Sequence, residues 1–248
     1  MITDPQKDYE HGWVPFLGVD VCLESRPLIP RTETEYWVER AITEILDVRH
    51  QVLTTDVGHP QFRILDLFAG SGAIGLAVLK HIPNAHVTFA EKEARHFPTI
   101  RKSIVENGID PARALLVKTD VWSPILDVGH QVLRAGDVVG HQVLWVFEYV
   151  LANPPYVSRE RDTVSPEALS HEPHEALYAD DDGFALIKRT VLGLPEHLAP
   201  DGAAWIEHEP FHTDRLKECT RENGFEAATE QDQYGVERFT HISKNTVA

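Results

Sequence analysis

The stretch FRILDLFAGSGAIGLAVLKHI, residues 62–82, changes its hydrophobic pattern halfway along. FRILDLF is a short apolar run, as expected of a strand buried on both faces, and it ends near Asp66. Gly70, Gly72 and Gly75 then spell G-x-G-x-x-G, and GSGAIGLAVLKHI turns into an apolar helix. A strand, a glycine loop and a helix in this order start a βαβ unit, and the glycines allow a tight turn with close backbone approach to a ligand. The next strand, HVTFAE, ends on Glu91, 19 residues after Gly72, where a carboxylate suits a ribose diol.

Working outward, the alternation continues. Upstream, residues 9–30 read as short strands with turns, a hairpin. A helix opens at Thr32, where Thr32 and Glu35 have the T-x-x-E spacing of a capping box. Downstream, PTIRKSIVENG is a helix, ALLVKTD a third strand and WVFEYVLA a fourth. DGFALIKRTVLGLPEHL is a helix, AAWIEHE a fifth strand and TDRLKECTRENG a helix, and FEAATEQ and ERFTHI are a last pair of strands. Strands alternating with helices predict an α/β, Rossmann-like architecture: a seven-stranded, mostly parallel sheet with helices on both faces and an N-terminal β-hairpin. The division expected is a hairpin and linker segment over 1–30 and one domain over 31–248.

Composition narrows the function. The 248 residues are 42% hydrophobic and 25% charged, ordinary for a chain with a real core. No apolar run is long enough to cross a bilayer, and the N-terminus has no signal-like apolar segment, so no membrane association is expected and the location expected is the cytoplasm. Cys22 and Cys219 have no metal or redox spacing, and no metal site is expected. The net charge is -16 without a basic cluster, which argues against direct nucleic-acid binding and for a protein or small-molecule substrate. A monomer is expected.

Asp66, Glu91, Asp120 and Asn153 each stand at the end of a predicted strand, the edge where parallel sheets bind ligands. Asp66, just before the glycine loop, would repel a pyrophosphate and attract a cation. S-adenosyl-L-methionine (AdoMet) carries an ammonium, a sulfonium and an adenosine ribose. Asp66 suits its ammonium end, directly or through water, and Glu91 its ribose. Asp120 suits the adenine amino group, with Val121 and Trp122 beside the ring. This set favours AdoMet over NAD.

VLANPPYV, residues 150–157, ends an apolar strand on an amide and locks the next two residues with proline rings. An amide or aromatic-amine nitrogen is a poor nucleophile because its lone pair is delocalised. Two acceptors can aim it at a methyl group: the side-chain oxygen of Asn153 and the carbonyl of Pro154. Pro155 holds the turn, and Tyr156 offers a flat face to a planar substrate. Orientation and electrostatics then carry the reaction without a strong base.

RPLIPRTETE, ILDLFAGSGAIGLAV, DVW, ANPPYV, HEPHEAL followed by DDDGFALIKR, and QYGVERF resemble the HemK/PrmC family of protein glutamine methyltransferases, from about residue 9 to residue 241. The resemblance implies the fold of a class I AdoMet-dependent methyltransferase and N5-methylation of the glutamine in the Gly-Gly-Gln motif of class I peptide chain release factors. It implies that Asn153, Pro154, Pro155 and Tyr156 hold that glutamine. It also implies that Phe68, Ala69, Gly70, Ser71, Gly72, Glu91 and Val121 fall on AdoMet positions. NPPY is shared with nucleic-acid amino methyltransferases, which leaves methylation of adenine or guanine as the alternative. The family usually has Pro where Thr32 stands. It also usually carries an N-terminal helical domain that helps dock the release factor, which this chain is expected to lack.

Three near copies, DVRHQVL (47–53), DVGHQVL (127–133) and VVGHQVL (138–144), read as surface-loop insertions rather than metal sites. His171 and His174 read as polar residues of the loop after NPPY. Arg31 and Glu33 stand equally well as contacts to the site or as anchors of the N-terminal segment.

Overall fold

The computed structural model describes residues 4–52, 61–123, 138–139, 142–143, 145–161 and 164–244. In chain order its elements are α1 (Pro5–His11), β1 (Trp13–Phe16), β2 (Val19–Cys22), α2 (Thr32–Val52), β3 (Phe62–Leu67), α3 (Ala73–His81), β4 (Ala85–Glu91), α4 (Phe97–Glu106) and β5 (Ala114–Lys118). They continue with β6 (Val138–Val139), β7 (Gln142–Val143), β8 (Phe147–Ala152), α5 (Pro166–His171), α6 (Ala185–His197), β9 (Leu198–Glu207), α7 (Thr213–Glu222), β10 (Phe225–Gln231) and β11 (Glu237–Lys244).

The expected seven-stranded sheet is present, in the order β10-β11-β9-β8-β3-β4-β5. The pairs β9/β8, β8/β3, β3/β4 and β4/β5 are parallel, and only β11 runs against its neighbours. The strand order reverses between β3 and β8, so a crevice opens there at the carboxyl ends.

The alternation of side chains in the central strands builds two cores. Ile64, Val87, Phe89, Leu151 and Trp205 face one side, where α2, α3, α4 and the β1–β2 hairpin pack. Leu65, Leu67, Val150, Ala152, Ala204 and Ile206 face the other, covered by α6 and α7. Burial on both faces is why FRILDLF has no polar alternation.

Three details differ from expectation. Residues 5–11, partly read as strand, are a helix: the Asp4 side chain accepts from Lys7 N at 3.3 Å, and Gly12 ends the helix at φ 81°. The capping box at Thr32 does not form. Glu35 Oε1 accepts instead from the backbone N–H of Leu17 at 2.8 Å, because the hairpin tip offers an unpaired donor there, and the Thr32 hydroxyl donates to Glu33. β9 begins at Leu198, five residues before the predicted Ala203. The first HQVL copy forms the last turns of α2 and runs past it. Part of the third forms the two-residue pair β6/β7, and the second lies outside the described residues.

Candidate active site

The loop between β3 and α3 starts with Phe68 in left-handed backbone at φ 68°, a conformation costly for a bulky residue. Gly72 N–H donates to Ala69 O at 2.6 Å and closes the turn. Gly75 lets the helix lie on β4: a Cβ there would meet Phe89 Cε1 at 2.4 Å. Val121, beyond β5, is also left-handed at φ 58°.

These segments wall a cavity of about 220 Å³ across the carboxyl ends of β8, β3, β4 and β5. Phe68, Gly70, Glu91, Asp120, Val121, Asn153 and Pro155 line it. Ala69, Ser71 and Gly72 do not; they build the turn behind its wall. Trp122 also stays out of the lining. Its indole N–H donates to the carbonyls of Arg189 and Thr190, and its ring stacks on His197 at 4.5 Å.

Asp66 sits beneath the loop, 1% exposed. Its Oδ2 accepts from Gly75 N at 2.9 Å, while Oδ1 is buried without a hydrogen-bond partner among the described residues. Burial pushes its pKa up to about 7; the Gly75 N–H opposes the shift and the charge of Glu91 adds to it. Glu91 Oε2 accepts from Gly70 N at 2.8 Å and Oε1 from Glu93 N at 2.7 Å, so the carboxylate is fixed with lone pairs to spare. Its pKa is raised by burial despite those N–H donors. Asp120 is held by Arg189 at 2.9 Å and Lys92 at 3.2 Å. Burial alone would raise its pKa, but hydrogen bonds from these two cations bring it below the usual value. Glu91, fixed in the cavity wall, fits a diol, and Asp66, which lines neither cavity, lies beneath the loop with one oxygen unpartnered among the described residues, where its carboxylate favours a positively charged group on the ligand above. AdoMet meets that description.

A second cavity, of about 50 Å³, adjoins the first and is lined by Arg31, Pro154, Tyr156, Val157 and Glu207 among others. Asn153, Leu28 and Ala176 line both. One residue of this lining, Glu207, is a group the sequence reading missed. Glu207, at the end of β9, is 1% exposed. Its Oε2 accepts from Trp37 Nε1 at 2.6 Å and Thr34 Oγ1 at 2.7 Å, and its Oε1 from the Tyr156 hydroxyl at 2.8 Å. Asn153 Nδ2 in turn donates to Thr34 Oγ1 at 3.2 Å. Burial raises the pKa of Glu207, against the three hydrogen bonds, and burial together with the charge of Glu207 holds the Tyr156 phenol far above its ordinary value, as a proton donor. Glu207 ends a fifth strand beside the four whose polar ends were noticed, and that was the available signal.

Arg31 enters the site and Glu33 does not. Arg31 pairs with buried Glu172, which also accepts from Ile29 N at 3.1 Å. Arg31 Nη1 remains buried and unpartnered among the described residues. His174 Nε2–H donates to the carbonyl of Leu169 at 2.9 Å, and neither it nor His171 lines either cavity. Gly183 explains the DDDG motif: its φ is 83°, and a Cβ there would lie 2.0 Å from Tyr156 O.

The family described as "Methyltransferase small domain" matches residues 43–184. A release factor glutamine methyltransferase of Streptococcus pneumoniae is 30% identical over 200 residues, 80% of this chain and 60% of that protein. This chain therefore spans about three-fifths of that relative's length. The protein of the same name from Deinococcus radiodurans is 30% identical over 94% of this chain and 72% of its own. In fold, a crystal structure of ribosomal protein L11 methylase from Lactobacillus delbrueckii subsp. bulgaricus matches with a TM-score of 0.57 at 14% identity, over 93% of this chain and 86% of that one. The chain belongs to the release factor glutamine methyltransferase family, whose cofactor is AdoMet.

Proposed function

We propose that the protein methylates the side-chain nitrogen of a glutamine in a peptide chain release factor, the glutamine of its Gly-Gly-Gln motif. The observation that carries this reading is that Asn153 belongs to the wall of both cavities, so a group held in the smaller one by Asn153 faces the larger one. Phe68, Gly70, Glu91, Asp120, Val121 and Asn153 wall the cofactor site, with Asp66, Ala69, Ser71 and Gly72 shaping its loop from behind, and Asn153, Pro154, Pro155 and Tyr156 form the catalytic one. Residues 31–248 make up the methyltransferase domain, with 1–30 as its N-terminal hairpin segment.

AdoMet, when bound, supplies a methyl group activated by attachment to a positively charged sulfur. Asn153 Oδ1 and the Pro154 carbonyl accept the two N–H bonds of the substrate amide and turn its lone pair toward the larger cavity. The proline rings fix φ and contribute no competing N–H. The Tyr156 ring packs on the amide plane, with its hydroxyl tied back to Glu207. Positive charge developing on the nitrogen is stabilised by those two acceptors, and the acidified N–H then gives its proton to solvent water without a dedicated base.

The experiment is to incubate the protein with AdoMet and a mixture of unmethylated release factor, RNA and DNA, then map methylation by mass spectrometry. A methyl group on the Gly-Gly-Gln glutamine is expected. A methyl group on a base alone would replace this reading with nucleic-acid amino methylation.

A further inference from the structure

Asn153 is useful as an acceptor only if its amide oxygen, not its NH₂, faces the substrate. The two orientations are nearly isosteric, so something outside the amide must choose between them. The chain of hydrogen bonds behind it makes the choice. Trp37 Nε1 can only donate, so the Glu207 Oε2 that it meets at 2.6 Å is an acceptor. With Glu207 ionised, Thr34 Oγ1, 2.7 Å from the same oxygen, gives its single proton to Glu207. That leaves Thr34 with lone pairs only on its Asn153 side. The amide of Asn153 must meet them with Nδ2, at 3.2 Å, and its Oδ1 has no protein partner among the described residues. The relay runs in this direction with Glu207 ionised, the state favoured by the three donors around it, and equally with a proton on Oε1; a proton on Oε2 would instead be donated to Thr34.

Building on the proposed methyl transfer, we infer that Glu207 and Thr34 are positioning residues that fix the Asn153 side chain with its oxygen toward the target nitrogen. Glu207 also fixes the other wall through the Tyr156 hydroxyl. The relay joins residues far apart in sequence: Thr34 at the start of α2, Asn153 after β8 and Glu207 at the end of β9. A misoriented amide would present N–H to the N–H of the substrate, a repulsive contact at the reacting atom.

Thr34→Val keeps the shape and removes the hydroxyl, while Thr34→Ser keeps the hydroxyl. Thr34→Val is expected to lower kcat about ten- to a hundredfold, as a misplaced orienting group does, with AdoMet Kd unchanged. Thr34→Ser should recover most of that loss. A Thr34→Val kcat within about threefold of wild type, or equal losses in the two variants, would overturn the relay, since packing damage alone does not distinguish a hydroxyl. The wild-type protein allows a second readout that needs neither variant folding nor turnover. In NMR spectra of ¹⁵N-labelled protein, the Asn153 side-chain NH₂ protons should show a strong NOE to Thr34, and its absence would mean that the amide is reversed. If the protein methylates a base rather than the glutamine, kcat is measured on that substrate. If it methylates neither, the functional reading fails while the NOE still decides the orientation.

Discussion

At the scale of single residues, the site divides into groups that hold the cofactor and groups that aim the substrate, and substitutions should separate them. Asn153→Ala removes an acceptor needed only at the reacting nitrogen. It should lower kcat by about a hundredfold or more, while calorimetry finds AdoMet binding within a few-fold of wild type. Comparable turnover in the variant would remove Asn153 from the mechanism. Asp66 makes the complementary case. Its native pKa, raised to about 7 mainly by burial, lies above that of an exposed aspartate, so the free protein holds a proton there that the unfolded chain releases. Its contribution to stability is therefore fully present below about pH 4 and is lost as pH rises through 7. A cationic ligand near the orphaned oxygen favours the ionised form, so AdoMet should bind more tightly at pH 8 than at pH 6. Asp66→Asn should flatten that difference and weaken binding at pH 8. An equal pH dependence in the variant would assign the effect to another group.

At the scale of elements, what could be read from sequence was what depends on neighbours in sequence. The glycine loop between β3 and α3 emerged at nearly its observed bounds because an apolar run, three glycines and an apolar helix announce themselves locally. α1 was lost inside a strand-like segment although Asp4, Pro5 and Gly12 mark its ends, because its seven residues leave little room for a helical period. The capping box failed because the hairpin claimed Glu35 first. Glu207 could not be connected to the site by reading, because Thr34, Trp37 and Tyr156 reach it across 173, 170 and 51 positions. The DDDG segment is similar: Gly183 matters through the carbonyl of Tyr156, which only the fold brings near. Gly183→Ala should therefore cost more than Gly224→Ala. Both place alanine in left-handed backbone, a penalty of about 1–2 kcal/mol. Only Gly183 adds a 2.0 Å contact with another backbone, while Gly224 has nothing within 4 Å. Urea unfolding should rank them in that order, and kcat should fall in Gly183→Ala alone. Equal midpoints would mean that the loop yields freely and does not brace NPPY.

For the molecule as a whole, the question is whether the N-terminal hairpin is an accessory or part of the body that carries the site. Its backbone donors are met from the body: Leu17 N–H by Glu35, Asp20 N–H by Asn107 and Cys22 N–H by Ser103. Its side chains Phe16, Val19 and Val21, with Leu23 and Ile29 after it, are at most 2% exposed and belong to the same core as Ile64, Phe89 and Ile100. Removing five such side chains forfeits roughly 7–15 kcal/mol at about 1.5–3 kcal/mol each. A domain of this kind has only about 5–15 kcal/mol in total. Ile29 and Arg31 also meet buried Glu172, so the segment anchors the loop that follows NPPY. Deletion of residues 1–30 is therefore expected to abolish cooperative thermal unfolding in calorimetry, and not merely to slow catalysis. A truncated protein that melted cooperatively within about 5 °C of the full chain would show that the hairpin is a passenger and that residues 31–248 are a self-sufficient domain.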